Sequence, residues 1–307
     1  MGLAPSYLNL SEAEMSRRVA ALRALLSPCV LCPRECRADR LAGELGFCGI
    51  GAEAMVASAN VHFGEEPPLS GGGGSGTIFF SGCNLRCLFC QNFPISQLGA
   101  GNVYAAEKLA QAMLDLQRRG AENINFVTPS HVVPQMVEGI ASAARQGLRV
   151  PIVFNSNGYE KVETLRLLEG SVDVYLPDFK YAEEGPAVEL SQASGYPAIA
   201  EEAIAEMFRQ VGPLVTDDRG IAVRGLIVRH LILPEGKAGT PRVLARLARR
   251  IGADIDVSLM TQYFPAHRAH GCATMARRIN REEIEEALRG FDESEIERCF
   301  FQDDGND

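Results

Sequence analysis

The sequence predicts an α/β fold, a partial (β/α)6 TIM-like barrel preceded by an N-terminal cysteine-rich module. Six short strand-like runs lie at residues 77–81, 122–128, 150–155, 172–176, 225–233 and 255–262. Amphipathic helical patterns at 105–119, 132–146, 160–169, 197–211 and 239–251 are each followed at once by a glycine. Seven of the nine cysteines fall in two groups before residue 91. Strands apolar on both faces belong to a parallel sheet covered by helices, and a glycine just past a periodic run is a common helix stop. Six units suggest an open barrel rather than a closed eight-fold one.

The elements follow in order. Ser11 and Glu14 form a capping-box pair ahead of an amphipathic run through Leu26, which Pro28 stops. The cysteine-rich module covers roughly residues 28–60. The glycine-rich stretch at 70–76 reads as an ordered loop, because the strand Thr77-Ile78-Phe79-Phe80 and a cysteine group follow directly. The end of the chain is acidic. The expected segments are therefore 1–65 (helix and four-cysteine module), 66–290 (barrel) and 291–307 (acidic tail).

Composition narrows the function. At 307 residues, 46% hydrophobic and 22% charged, the chain has an ordinary globular balance. Thirty basic against 39 acidic residues give a net charge of −9, which disfavours nucleic acid as a partner. No apolar stretch is long enough to span a bilayer, and the start lacks the pattern of a secretory signal. The expectation is a cytoplasmic protein whose nine cysteines are thiols rather than disulfides. The run from Gly71 to Gly76 lacks the Gly-Lys-Ser/Thr ending of a phosphate-binding loop, and no nucleophile elbow is present.

Cys83, Cys87 and Cys90 form C-x3-C-x2-C just after the first barrel strand. Three thiolates on one tight loop can hold three irons of a cubane, leaving the fourth iron without a protein ligand. A vacant metal position is what catalysis needs. A zinc ribbon would want a second C-x2-C knuckle and a ferredoxin site a fourth nearby cysteine; this loop offers neither. Cys29, Cys32, Cys36 and Cys48 form a second group. Four soft ligands close a site, so this one is structural or electron-transferring, and zinc and an iron–sulfur cluster both fit it. Cys272 and Cys299 are isolated and read as inert thiols.

The segment from Ser81 to Asn92, with Phe89 before the third cysteine, resembles the signature of radical S-adenosylmethionine enzymes. Upstream, Gly74 to Cys83 resembles the loop and strand before the cluster in glycyl-radical-enzyme activases, and the chain from about Cys29 to residue 290 resembles the pyruvate formate-lyase activating enzyme-like branch. The resemblance implies an oxidoreductase-type enzyme with a [4Fe-4S] cluster on Cys83, Cys87 and Cys90, and S-adenosyl-L-methionine on the open iron. Reductive cleavage would give methionine and a 5′-deoxyadenosyl radical. The implied reductant is a flavodoxin or ferredoxin, and the implied substrate a glycyl-radical-enzyme-like protein or peptide. Two alternatives are a small-molecule substrate and, from another class, a non-catalytic iron–sulfur electron carrier.

The family's cofactor contacts lie at successive strand ends. After the second strand the family has Gly-Gly-Glu; this chain has Thr128-Pro129-Ser130-His131, with Thr128 the expected replacement and His131 a candidate polar or catalytic group. Asn155-Ser156-Asn157-Gly158 resembles a Thr-Asn-Gly turn, and Asn155 is the implied contact. Asp178-Phe179-Lys180 resembles Asp-x-Lys, whose side chains reach the ribose; an acceptor and a donor two residues apart suit a diol. Arg229, alone in an apolar strand, must find an anion, and the resemblance makes that the methionyl carboxylate. His230 points the other way and reads as packing. Gln262 and Tyr263 are candidate adenine or substrate contacts.

Overall fold

The computed structural model describes residues 3–302, so the outermost residues of the first and last expected segments lie outside it. All six expected barrel strands form. With three further long or terminal strands and one short one they are β1 (Ala54–His62), β2 (Ser75–Phe80), β3 (Asn102–Tyr104), β4 (Ile124–Val127), β5 (Ile152–Ser156), β6 (Val174–Pro177), β7 (Val215–Thr216), β8 (Ala222–Leu231), β9 (Asp256–Met260) and β10 (Arg298–Gln302). They make one sheet in the order β10-β9-β8-β6-β5-β4-β2-β1-β3, with β7 on β8. From β2 to β10 every neighbouring pair on that path is parallel. β1 and β3 extend the sheet antiparallel beyond β2.

The helices Ala106–Arg118, Val133–Arg145, Val162–Leu168, Tyr196–Val211 and Thr240–Arg250 end one or two residues before the expected glycines. The first helix, Glu12–Ala24, starts where Ser11 Oγ accepts the Glu14 amide at 3.2 Å. Strand alternation separates two buried layers. Ile152, Phe154 and Tyr175 face the helices, with the two rings edge-on at 5.8 Å. Val153, Val174, Leu176 and Ile227 face the other side and enclose Leu69. Phe300, on the edge strand β10, packs on that same inner cluster. A loop residue beside β2 and a residue of the far edge meet over the middle strands, so the sheet is rolled. Among the described residues no helix is long and apolar enough to cross a membrane.

Two expected boundaries are corrected. The segment ending at residue 65 includes β1, which belongs to the sheet, and Leu22, Leu26, Leu31 and Ile50 share its main core. The expected acidic tail contains β10, whose backbone pairs with β9 over five registers from Arg298–Asp256 to Gln302–Met260. The ladder and the inward Phe300 outweigh the acidic flanks. Truncation before Glu297 should therefore uncover the β9 edge, lowering Tm by several degrees and promoting aggregation. A thermal melt unchanged by that truncation would restore the tail.

Candidate active site

Because the strands of the barrel are parallel, the loops after β2, β4, β5, β6, β8 and β9 share one end of the sheet. Cys83, Cys87 and Cys90 sit on the first of these loops. Gly82 lets that loop lie against the N-terminal module: it has φ +81°, and a Cβ there would come within 2.6 Å of the Cys48 carbonyl.

Each of the three sulfurs has a hydrogen-bonding neighbour. The Leu85 amide and Asn157 Nδ2 donate to Cys83 Sγ at 3.3 and 3.4 Å. Ser191 Oγ donates to Cys87 Sγ at 3.0 Å, and Cys90 Sγ lies 3.2 Å from Ser96 Oγ. Burial and the neighbouring sulfur of Cys87 push the Cys83 thiol up to about 12, and burial raises Cys87 as well. Lys180 opposes both shifts. Burial works against the charge of Lys180, but Asp178 and the sulfurs of Cys87 and Cys90 hold its pKa above the ordinary lysine value. Three partly buried sulfurs of one loop, each with a hydrogen-bonding neighbour and with Lys180 beside Cys87 and Cys90, are a donor set that suits an anionic iron–sulfur cluster.

A family model described as the Radical SAM superfamily matches residues 77–185. The uncharacterized protein MJ0674 of Methanocaldococcus jannaschii is 30% identical over 279 residues, spanning 88% of this chain and 76% of that protein. The chain belongs to the radical SAM superfamily. Membership brings a [4Fe-4S] cluster and S-adenosylmethionine, cleaved to a radical, and makes the protein an enzyme. Among solved structures, HydG, a maturase of the [FeFe]-hydrogenase, is similar with a TM-score of 0.50 at 10% identity, over 96% of this chain and 63% of that one. TYW1 with a lysine-pyruvate adduct bound gives 0.44 at 11% identity, over 71% and 73%. The HydG likeness is one of fold, in keeping with the partial barrel of the radical SAM superfamily.

The expected contacts fall as follows. Thr128 ends β4 with φ +59°, a left-handed conformation that a β-branched residue rarely adopts, while its amide donates to the Asn155 carbonyl at 2.8 Å. In the turn after β5, Gly158 has φ +74° and a Cβ there would sit 2.2 Å from the Asp178 carbonyl, so close approach requires the glycine. Asn157, rather than Asn155, reaches the cysteine loop, donating also to Asn84 Oδ1 at 2.7 Å. Lys180 Nζ donates to Asp178 Oδ2 at 2.5 Å, so these two side chains meet each other beside the sulfurs.

Arg229 already has its anions. Its Nε and Nη2 donate to the two oxygens of Glu66 at 2.7 Å each, and Nη2 also reaches Glu65. Glu66 is wholly buried. Burial would raise the Glu65 carboxyl, but Arg229 and His62 together hold it down to about 2. Asn125 and Ser258 are fully buried with side-chain atoms unpartnered among the described residues. Ser258 pairs in register with Arg229 and Asn125 with the inward Val153. The barrel interior is thus more polar than its apolar strands suggest.

His131 is buried away from the three sulfurs, with Nε2 2.7 Å from the Ser81 carbonyl, and lines the cavity of the N-terminal cysteines. His230 is satisfied by the Phe179 carbonyl and Thr240 Oγ1, at 2.6 and 2.9 Å. Tyr263 is buried, edge-on to Phe89 at 5.8 Å, with its hydroxyl on the Met275 carbonyl at 2.6 Å. The Gln262 carbonyl accepts from Gln91 at 3.0 Å. Both residues brace the cysteine loop. Among the described residues no three His, Cys, Asp or Glu side chains are already drawn together around a single-ion site.

Two buried carboxyls give opposite expectations. Arg229→Met leaves Glu66 as a buried charge without its cation and should cost about 3–5 kcal/mol in urea unfolding; an unchanged midpoint would remove the pair from the fold's support. Glu160, fully buried and contacting Ser130 Oγ, is pushed up to about 8 by burial. Its folded pKa lies above its unfolded value of 4.5, so its contribution is present at low pH and is lost as pH rises toward 8. Relative to Glu160→Gln, the wild type should lose up to about 1.4 kcal/mol per pH unit between pH 5 and 8. Parallel pH profiles of the two proteins would show the carboxyl to be ionised throughout.

Proposed function

We propose that Cys83, Cys87 and Cys90 hold the catalytic cluster, and that the enzyme acts on a protein or peptide of glycyl-radical type, with a flavodoxin or ferredoxin as reductant. The observation that carries the first part is the gathering of three partly buried thiols of one loop beside Lys180, with a hydrogen-bonding neighbour on each sulfur. The substrate class rests on the likeness of residues 74–83 and of Asp178-Phe179-Lys180 to the activases.

Bound there, the cluster and S-adenosylmethionine supply a 5′-deoxyadenosyl radical that takes a hydrogen atom from a C–H bond. The chain's residues bind, orient and exclude water. Lys180 offsets the negative charge of the sulfurs, and Asp178, fixed by Lys180, keeps an oxygen for a ribose hydroxyl. Thr128 and Asn155, joined through the backbone, offer polar atoms to the methionyl end. Arg229 would meet a methionyl carboxylate only by exchanging it for Glu65, so its first task in this reading is to hold Glu65 and Glu66 inside the barrel. Tyr263 and Phe89 close the loop against water.

Anaerobically reconstituted, dithionite-reduced protein should convert S-adenosylmethionine to 5′-deoxyadenosine, and Cys87→Ala should reduce the yield to background. With a glycyl-radical protein as acceptor, the reaction should leave a carbon-centred radical visible by electron paramagnetic resonance. 5′-Deoxyadenosine formed at the same rate by the Cys87→Ala protein would refute the cluster assignment, and turnover confined to small molecules would refute the substrate class.

A further inference from the structure

Cys29, Cys32, Cys36 and Cys48 line one cavity together with Arg34, Arg40 and His131. Gly46 makes room for the sulfurs: a Cβ there would lie 3.2 Å from Cys36 Sγ and 3.5 Å from Cys48 Sγ. Three buried nitrogens on these walls have no hydrogen-bond partner among the described residues: Arg34 Nη2, Arg40 Nη2 and His131 Nδ1. Each side chain is nevertheless anchored elsewhere. Arg34 Nε donates to the Asn84 carbonyl at 2.7 Å, Arg40 Nε to the Gly51 carbonyl at 3.0 Å, and His131 Nε2 lies 2.7 Å from the Ser81 carbonyl.

Arg40 is 1% exposed, and among the described residues neither guanidinium has a carboxylate partner. A buried cation, Arg40, and a half-buried one, Arg34, without carboxylate partners are unfavourable unless something of opposite charge sits between them. Four thiolates binding a dicationic metal centre carry a net charge of −2, which matches the two arginines. A single zinc ion would leave only metal at the centre of the four sulfurs. A cubane adds four core sulfides there, acceptors that face outward between the thiolates toward donors such as these.

The cavity is also joined to the catalytic loop. Arg34 lies in the field of both Cys32 and Cys83, and its Nε holds the backbone of Asn84. The rings and guanidiniums of Arg34, Phe47 and Arg86 stack between the two groups, at 4.1 and 4.5 Å from the Phe47 centroid. Arg86 in turn donates to the Cys83 carbonyl at 2.9 Å.

From this arrangement we infer that Cys29, Cys32, Cys36 and Cys48 hold a second [4Fe-4S] cluster, whose sulfurs accept hydrogen bonds from Arg34 and Arg40. This goes beyond the proposed reaction and does not depend on it, because 5′-deoxyadenosine formation reads the first site alone.

Anaerobic reconstitution with iron and sulfide should load the wild type with about eight irons and eight acid-labile sulfides. Replacing Cys83, Cys87 and Cys90 together with Ala should leave about four of each, and replacing Cys29, Cys32, Cys36 and Cys48 with Ala as well should remove those. Arg40→Met should keep the iron but shift the midpoint potential of the remaining cluster downward, since a cationic donor near the sulfurs favours the reduced state. Saturation of the wild type at about four irons, zinc without sulfide in the triple variant, or iron that persists once Cys29, Cys32, Cys36 and Cys48 are replaced as well would overturn the assignment. A potential unmoved by Arg40→Met would overturn the role of the arginines.

Discussion

Desolvating two neighbouring thiols is unfavourable for their ionised forms, and the surroundings of Cys83 and Cys87 answer that constraint. Desolvation alone keeps Cys83 and Cys87 protonated, and each sulfur's charge opposes ionisation of the next. Metal binding has to displace those protons, so the loop needs compensating groups already in place. Lys180 supplies the charge, and Asn157, Ser191 and the Leu85 amide supply hydrogen bonds. Asn157 and Lys180 follow β5 and β6, and Ser191 ends the helix Glu184–Ser191, so the matching of the sulfurs draws on three separate elements besides their own loop.

The buried cations sort into two classes by the partners they have. Arg229 binds two carboxylates, and Lys180 one, so each is balanced within the chain. Such pairs are structural in the first instance, because leaving either partner alone costs several times what the pair gains. Arg34 and Arg40 have carbonyls and sulfurs around them instead, and their free nitrogens face a cavity. That contrast is what the inferred second cluster would resolve, since it would bring negative charge to Arg34 and Arg40. His131 belongs with them, although in sequence it follows a catalytic-end strand.

Much of the barrel was legible because apolar strands and glycine-stopped helices alternate from residue 77 onward. β1 was not, since its Ala-Ser-Ala-Asn run has weak strand propensity and is only half-buried, and β10 was masked by its acidic flanks. The cysteine loop could be read because its ligands lie within eight residues of one another. The anions of Arg229 could not: Glu65 and Glu66 are 164 and 163 residues away in sequence, brought inward by a loop that enters the barrel. The same limit hid Ser191, 104 residues from the sulfur it touches. Asn84 and Asn157 carried a signal, standing beside the first cysteine and in an Asn-Gly turn, but turn chemistry explains such residues equally well.

The departure at Thr128 has a physical reading. Where the activases have glycine, this chain places a β-branched residue, yet the backbone keeps a φ of +59° that glycine would adopt without strain. A side chain held there costs on the order of 1–3 kcal/mol, so the surrounding structure imposes the conformation. The Thr128 amide is fixed by the Asn155 carbonyl, the Pro129 ring fixes its own φ, and Ser130 is held by the buried carboxyl of Glu160. Three independent restraints thus converge on one peptide at the cofactor end of β4. The neighbours of this turn, more than the identity of its own side chain, therefore set its conformation at the end of β4.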